Sequence, residues 1–174
     1  MWYVIQTITG GEELLIRLFK EMIPEEYYRE CFYIKRESAR KEDDGWYIHE
    51  EIMFPGYFFV DTENPKEVYM SLKQIPKLTK LLREENETFL AVSEEEQQFL
   101  EEIQSAGHFV RRSLVRLDAD RKIIEADGPV GRYIDSIVRQ RVRKRYVLIE
   151  KTLLGEKRKI LFGIRLEEDK LTDG

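Results

Sequence analysis

The run Arg139-Gln140-Arg141-Val142-Arg143-Lys144-Arg145 is the densest concentration of chemistry-bearing side chains in the sequence. Residues two apart share a face of a strand, so on one strand or tight hairpin Arg139, Arg141, Arg143 and Arg145 present four guanidinium forks together. Such forks match phosphate oxygens and guanine edges in two-pronged fashion, which makes nucleic acid the natural ligand. Tyr133 or Tyr146 could add a ring on which an exposed base stacks. A blander reading is an edge strand guarded by charge against aggregation, but one or two cations suffice for that and this run, with Lys144, holds five. Lys157-Arg158-Lys159 on the next hairpin, Arg111-Arg112 near a hinge, and Arg132 extend the candidate nucleic-acid surface.

No other constellation carries chemistry. His49 and His108 are the only histidines, and neither has Cys or carboxylate partners at metal-ligand spacing. Gly10-Gly11 lacks the Lys-Ser or Lys-Thr of a phosphate loop. Cys31 is the single cysteine, which excludes an internal disulfide, fits a reducing compartment and reads as a small buried apolar residue. Glu101 and Glu102 read as the solvated face of a helix. An enzyme is not expected, nor a catalytic residue, a metal or a cofactor.

The elements that position these residues follow from periodicity. Trp2 to Thr7 reads as a strand ended by Gly10-Gly11, and Leu14, Leu15, Leu18, Phe19 and Met22 recur at helical spacing before Pro24. Cys31 to Ile34 and Trp46 to Ile48 are expected as a hairpin around a mobile polar tip, Lys35 to Gly45. Tyr57 to Val60 is a strand, Asn64-Pro65-Lys66-Glu67 caps a short helix through Val68, Leu72 and Ile75, and Thr79 to Leu82 and Phe89 to Val92 are short strands around an Arg83 to Thr88 turn. Ser93-Glu94-Glu95-Glu96 has capping-box spacing ahead of a helix with Leu100 and Ile103 inward. This mixture predicts an antiparallel α+β sandwich. Gln104 to His108 is the expected hinge. Beyond it Val110 to Leu117, Lys122 to Ala126, Tyr133 to Val138, Arg145 to Glu150 and Lys159 to Ile164 read as five short strands of a small barrel.

Charge divides the chain in the same place. Of 174 residues, the first 108 hold 12 Lys and Arg against 23 Asp and Glu, and the remainder hold 17 against 11. The acidic part is poorly suited to hold nucleic acid, whereas the basic tail can neutralise phosphates and release counterions. No apolar run approaches the ~20 residues of a membrane span, and a basic lead into an apolar stretch is lacking at the start, so a cytoplasmic location is expected.

Trp2-Tyr3-Val4-Ile5 and Met53-Phe54-Pro55-Gly56-Tyr57-Phe58-Phe59-Val60 are the most telling strings. Pro55 cannot donate to a sheet and Gly56 relaxes the backbone, so the pair marks the entry to a strand. Neighbouring strands of this composition crowd Trp2, Tyr3, Phe54 and Tyr57 near one end, either as ordinary core or as a surface aromatic patch for a partner helix. These strings in this order, Lys73-Gln74-Ile75-Pro76-Lys77, and Gly128-Pro129 in a basic β-rich tail resemble the NusG family of transcription elongation factors over nearly the whole chain.

The resemblance implies a NusG-type α+β domain at 1–104, a linker at 105–110 and a small all-β KOW (SH3-like) barrel at 111–170. It implies an RNA polymerase-binding surface made of Trp2, Tyr3, Phe54, Pro55, Gly56 and Tyr57, which receives the clamp helices of the large catalytic subunit, with Ile75-Pro76 approaching the opposite lobe. Leu154-Gly155 stands where the family usually has Phe-Gly, and a second glycine after Gly131 is missing. With the basic tail, this is most similar to the LoaP subgroup of antiterminators: a monomer that suppresses pausing and termination on selected operons after binding a leader RNA hairpin, or non-template DNA. The alternatives are a general elongation and termination factor and a KOW-type RNA-binding module of the translation machinery.

Overall fold

The computed structural model describes residues 1–82 and 89–171. The chain falls into two compact units, Met1–Ile34 with Phe54–Gln97, and Lys35–Met53 with Gln98–Gly174. This division differs from a single cut at 105–110, because the segment 35–53 belongs with the tail. In chain order the elements begin with β1 (Trp2–Gln6), α1 (Glu12–Met22), β2 (Glu30–Phe32), β3 (Lys35–Glu42), β4 (Gly45–Ile52) and β5 (Tyr57–Asp61). There follow α2 (Pro65–Gln74), α3 (Pro76–Thr79), β6 (Phe89–Ala91) and α4 (Glu94–Ile103). The tail holds β7 (Phe109–Val110), β8 (Ser113–Leu117), β9 (Ile123–Asp127), β10 (Ile137–Arg141), β11 (Tyr146–Leu153) and β12 (Glu156–Leu166).

The first unit is built on an antiparallel sheet in the order β2-β5-β1-β6. Alternation along the strands sends Ile5, Cys31, Phe58 and Val60 to one face, where Leu15 and Phe19 of α1, Val68 and Leu72 of α2 and Leu78 of α3 close the core. Burial pushes the Cys31 thiol up to about 11, which leaves it a protonated apolar filler. Leu14 is exposed, so the inward stripe of α1 is narrower than its periodicity implies. Asn64 stands at the start of α2 without a side-chain cap, whereas Ser93 and Glu96 exchange the reciprocal hydrogen bonds of a capping box. The expected strand Thr79 to Leu82 is instead the end of α3 and a turn: Pro76 in its first turn has the fixed φ a helix start needs. The expected Arg83 to Thr88 turn lies outside the described residues.

One buried carboxylate holds the Phe-Pro-Gly-Tyr entry in place. Glu12, in the first turn of α1 and buried, accepts the Gly10 N–H at 2.9 Å and the Gly56 N–H at 2.7 Å. The positive end of the helix favours its charge. Gly56 has φ +84°, and a Cβ there would stand 3.2 Å from the Thr7 carbonyl oxygen. The backbone therefore turns tightly enough to reach Glu12 only with glycine.

In the second unit the expected hairpin is replaced by a longer one. Cys31 joins the first sheet through β2, while the polar stretch from Lys35 is itself β3, paired with β4 from Lys35↔Ile52 to Glu42↔Gly45. Cross-strand pairs make this polar ribbon a strand rather than a mobile tip: Arg36 donates to Glu51 at 2.8 Å, and Arg40 lies 4.7 Å from the Tyr47 ring centroid. β3 also pairs in parallel with β7. The tail forms a five-stranded sheet in the order β10-β11-β12-β8-β9, its β12–β8 pair parallel. Tyr133 precedes a 3-10 turn, Ile134–Ser136, so that strand begins only at Ile137.

Arg145 is the polar anchor of this unit. It sits in the left-handed region at φ +60°, buried, with its fork on Asp169 at 2.7 and 2.8 Å and a third hydrogen bond to the Val142 carbonyl. The guanidinium plane stacks over Trp46 at 4.5 Å from the ring centroid. Burial pushes the Asp169 carboxyl up, but hydrogen bonds from Arg145 and the Leu166 N–H outweigh it and hold the group below the usual carboxylate range.

Two stability measurements follow. Glu12→Ala leaves two amides without their acceptor and is expected to cost about 3 kcal/mol in urea unfolding at unchanged slope; a loss below about 1 kcal/mol would contradict this account. Asp169→Asn should cost about 3 kcal/mol at pH 7 by leaving a buried guanidinium half-paired. Because the folded Asp169 carboxyl lies low, its contribution is complete above the unfolded value of about 3.9 and fades as pH falls through the folded value. The gap between native protein and variant should therefore shrink below about pH 4, and an equal gap at pH 7 and pH 3 would rule out an ionised pair.

Candidate binding surfaces

The strings Trp2-Tyr3 and Phe54-Pro55-Gly56-Tyr57 come together differently from expectation. β1 and β5 run antiparallel with Trp2 opposite Asp61 and Tyr57 opposite Gln6, so Trp2 and Tyr57 lie at opposite ends of the pair, roughly 13 Å apart. Phe54 nevertheless joins Trp2 through Phe59, because the chain folds back at Pro55-Gly56 and brings its ring 6.5 Å from Phe59, which lies 6.2 Å from Trp2. Trp2 lies edge-on to Phe32 at 5.0 Å, and Phe32 stacks on Phe59 at 5.5 Å. The result is an aromatic cluster on the sheet face opposite α1, α2 and α3.

Trp2 and Phe54 are closed within it, only 6% and 5% exposed. Tyr3 points to the other face and stacks on Phe89 at 5.1 Å. Of the expected polymerase-binding residues, Pro55 is exposed, Tyr57 half-buried and Gly56 buried against Glu12. Ile75, half-buried against the core, and exposed Pro76 form the junction of α2 and α3. Phe32 and Phe59 are cluster members that the sequence analysis does not single out; their alternation with Cys31 and Phe58 is the available signal.

The basic run of the second unit does not form one strand. β10 ends at Arg141, and Val142–Lys144 make a 3-10 turn that buries Val142 and delivers Arg145 inward. Arg145 is thereby withdrawn from the nucleic-acid surface. Arg139, Arg141, Arg143 and Lys144 remain exposed, and among the described residues none of the four makes an ion pair. Arg112 is also withdrawn, being buried with its Nε 2.7 Å from Glu37.

Lys157-Arg158-Lys159 does not extend the run. β11 pairs with β12 from Tyr146↔Gly163 to Leu153↔Glu156, which puts this cluster at the far end of the hairpin, about 23 Å from the basic turn. Lys157 is paired with Glu150 and Arg158 with Glu156, which leaves Lys159 exposed beside them. Tyr133 is engaged: its hydroxyl donates to Glu102 at 2.8 Å and its ring meets Phe99 edge-on at 5.2 Å. Burial, then the hydrogen bond to Glu102, pushes its hydroxyl up to about 12. Arg132 lies 3.5 Å from Glu102, and Arg111 is exposed.

This architecture has a known counterpart. A solved structure described as "Domain interaction in Thermotoga maritima NusG" superposes over 93% of this chain and 92% of that one, with a TM-score of 0.52 at 17% identity, a likeness of fold. Another, described as "Crystal Structure of MjSpt4:Spt5 complex conformation A", covers 94% of this chain and 93% of that one at a TM-score of 0.33 and 16% identity. No curated protein matches the chain in sequence. Residues 1–101, more than half of the chain, match the family described as "Transcription termination factor nusG", and the chain therefore belongs to the NusG family of transcription factors.

Proposed function

We propose that this chain is a processive antiterminator: it holds RNA polymerase through its first unit, suppresses pausing and termination, and reaches selected operons by binding a leader RNA hairpin through its second. The observation that carries the reading is the set of four exposed cations, Arg139, Arg141, Arg143 and Lys144, left without acidic partners among the described residues. Unneutralised guanidinium groups on an edge strand and its turn are available for phosphates at no cost in broken ion pairs. The five-stranded tail is read as the KOW barrel, and Gln140 favours closure by joining β10 to Arg121 and Ile123 at the start of β9.

A second observation favours the specialised LoaP type over a general factor. At the β11–β12 turn Leu154 has φ +53° and Gly155 +82°, and the Leu154 side chain is buried. The tip therefore offers a partner no protruding aromatic ring, which is what a Phe-Gly tip supplies. Polymerase contact is assigned to Pro55 and Tyr57 at the strand entry next to the packed cluster of Trp2, Phe54, Phe32 and Phe59, with Ile75-Pro76 toward the opposite lobe. The clamp helices of the large catalytic subunit are the proposed partner.

Two binding experiments on the full chain test this reading. Tyr57→Ala should weaken polymerase binding by about 2 kcal/mol with the fold retained, while Phe54→Ala should instead lower stability by about 3 kcal/mol or more. Undiminished binding by folded Tyr57→Ala would remove the proposed contact. The second experiment measures hairpin RNA affinity against salt: a phosphate-contacting Arg139, Arg141 or Arg143 changed to Ala should lower the log–log slope by about one, and a base-reading one should cost about 1–3 kcal/mol and relax discrimination. Lack of RNA binding even at low salt would end the proposal.

A further inference from the structure

A second cationic feature lies apart from the basic strand and turn. The second unit contains a cleft of about 490 Å³ lined by Arg111, Arg112, Arg132 and Arg165 together with Glu102 and Asp127. Its size falls within the range of small-molecule sites, about 300–1,000 Å³, and is more than one inorganic anion needs. One wall is the Gly128-Pro129 loop. Gly128 has φ +129°, and a Cβ there would lie 2.9 Å from Ser113 Cα, while Ser113 Oγ accepts the Val130 N–H at 2.9 Å. The loop is thus pinned to β8 and cannot swing into the cleft.

The charges are arranged for an exchangeable anion. Arg112 is committed to Glu37, which fixes the floor. Arg132 is 77% exposed and its contact with Glu102, at 3.5 Å, is longer than the Arg112–Glu37 pair. Glu102 also accepts the Tyr133 hydroxyl, so it keeps a partner when Arg132 turns away. A phosphate offers Arg132 and Arg111 an anionic acceptor with two fork-matched oxygens, singly charged in an RNA chain and up to doubly charged in a 5′-mononucleotide, in place of the Glu102 carboxylate oxygen.

We propose that this cleft binds a phosphate ester carrying a nucleoside, as a site separate from the Arg139–Lys144 cations and in competition with Glu102. The phosphate comes either from the RNA chain or from a free nucleotide. The inference deepens the nucleic-acid reading of the second unit and rests on it for the RNA source.

The test uses the full chain with two probes, a leader-type hairpin RNA and a free 5′-mononucleotide. If the RNA chain fills the cleft, the Arg111→Ala/Arg132→Ala double variant binds hairpin about tenfold more weakly, with a salt slope shallower by about two. Glu102→Gln, which keeps the Tyr133 hydrogen bond but removes the competing charge, binds it severalfold more tightly. If a free nucleotide fills it, the mononucleotide shows the same two opposite changes while hairpin binding stays constant. Arg116→Ala, which removes a cation elsewhere on the unit, controls for net charge. Wild-type affinity of the double variant for both probes would overturn the proposal. Native chain that binds mononucleotide in this pattern but no RNA would keep the cleft and sink the RNA reading instead.

Discussion

The exposed basic turn of the second unit depends on the burial of one guanidinium. Arg145 gathers the Asp169 carboxylate, the Val142 carbonyl and the Trp46 ring around a left-handed residue, and so joins the turn after β10, the end of β12 and the β3–β4 hairpin. A charge at this depth is tolerable only when its donors are satisfied, and here the fork and the carbonyl acceptor do so. The consequence for binding is geometric. Turning Arg145 inward ends the strand at Arg141 and leaves Arg143 and Lys144 on an exposed 3-10 turn.

The first unit follows a parallel logic with a carboxylate. Glu12 has two backbone donors and a helix end instead of a cation, and it ties the start of α1 to the glycine that admits β5. The aromatic cluster of Trp2, Phe32, Phe54 and Phe59 is thereby held on the face away from the helices. Packed rings of this kind are stiff, and stiffness would lower the ordering cost of the contact proposed for Pro55 and Tyr57.

Sequence patterns exposed the fold where one periodicity dominated. β1, α1, β5, α2 and α4 follow from apolar spacing and punctuation by Gly, Pro and Ser. The polar β3 was illegible because its strand character comes from partners across the ribbon, Arg36 with Glu51 and Arg40 with Tyr47, not from its own composition. The same limit applies to the site. The basic run announced itself, but alternation alone could not show that Arg145 and Arg112 are spent on Asp169 and Glu37, residues 24 and 75 positions away. Glu12 and Arg165 carried no local signal at all, since burial and convergence are properties of the folded chain.

The central claim, that polymerase contact and RNA recognition are joined in one chain to suppress termination, is tested most directly by single-round transcription through a terminator placed downstream of a leader hairpin. Read-through should rise on addition of the protein only when the hairpin is present in the transcript, and the Arg139→Ala/Arg141→Ala/Arg143→Ala variant should abolish the rise while still binding polymerase. Equal read-through on a template lacking the hairpin, or full activity of the triple variant, would contradict it.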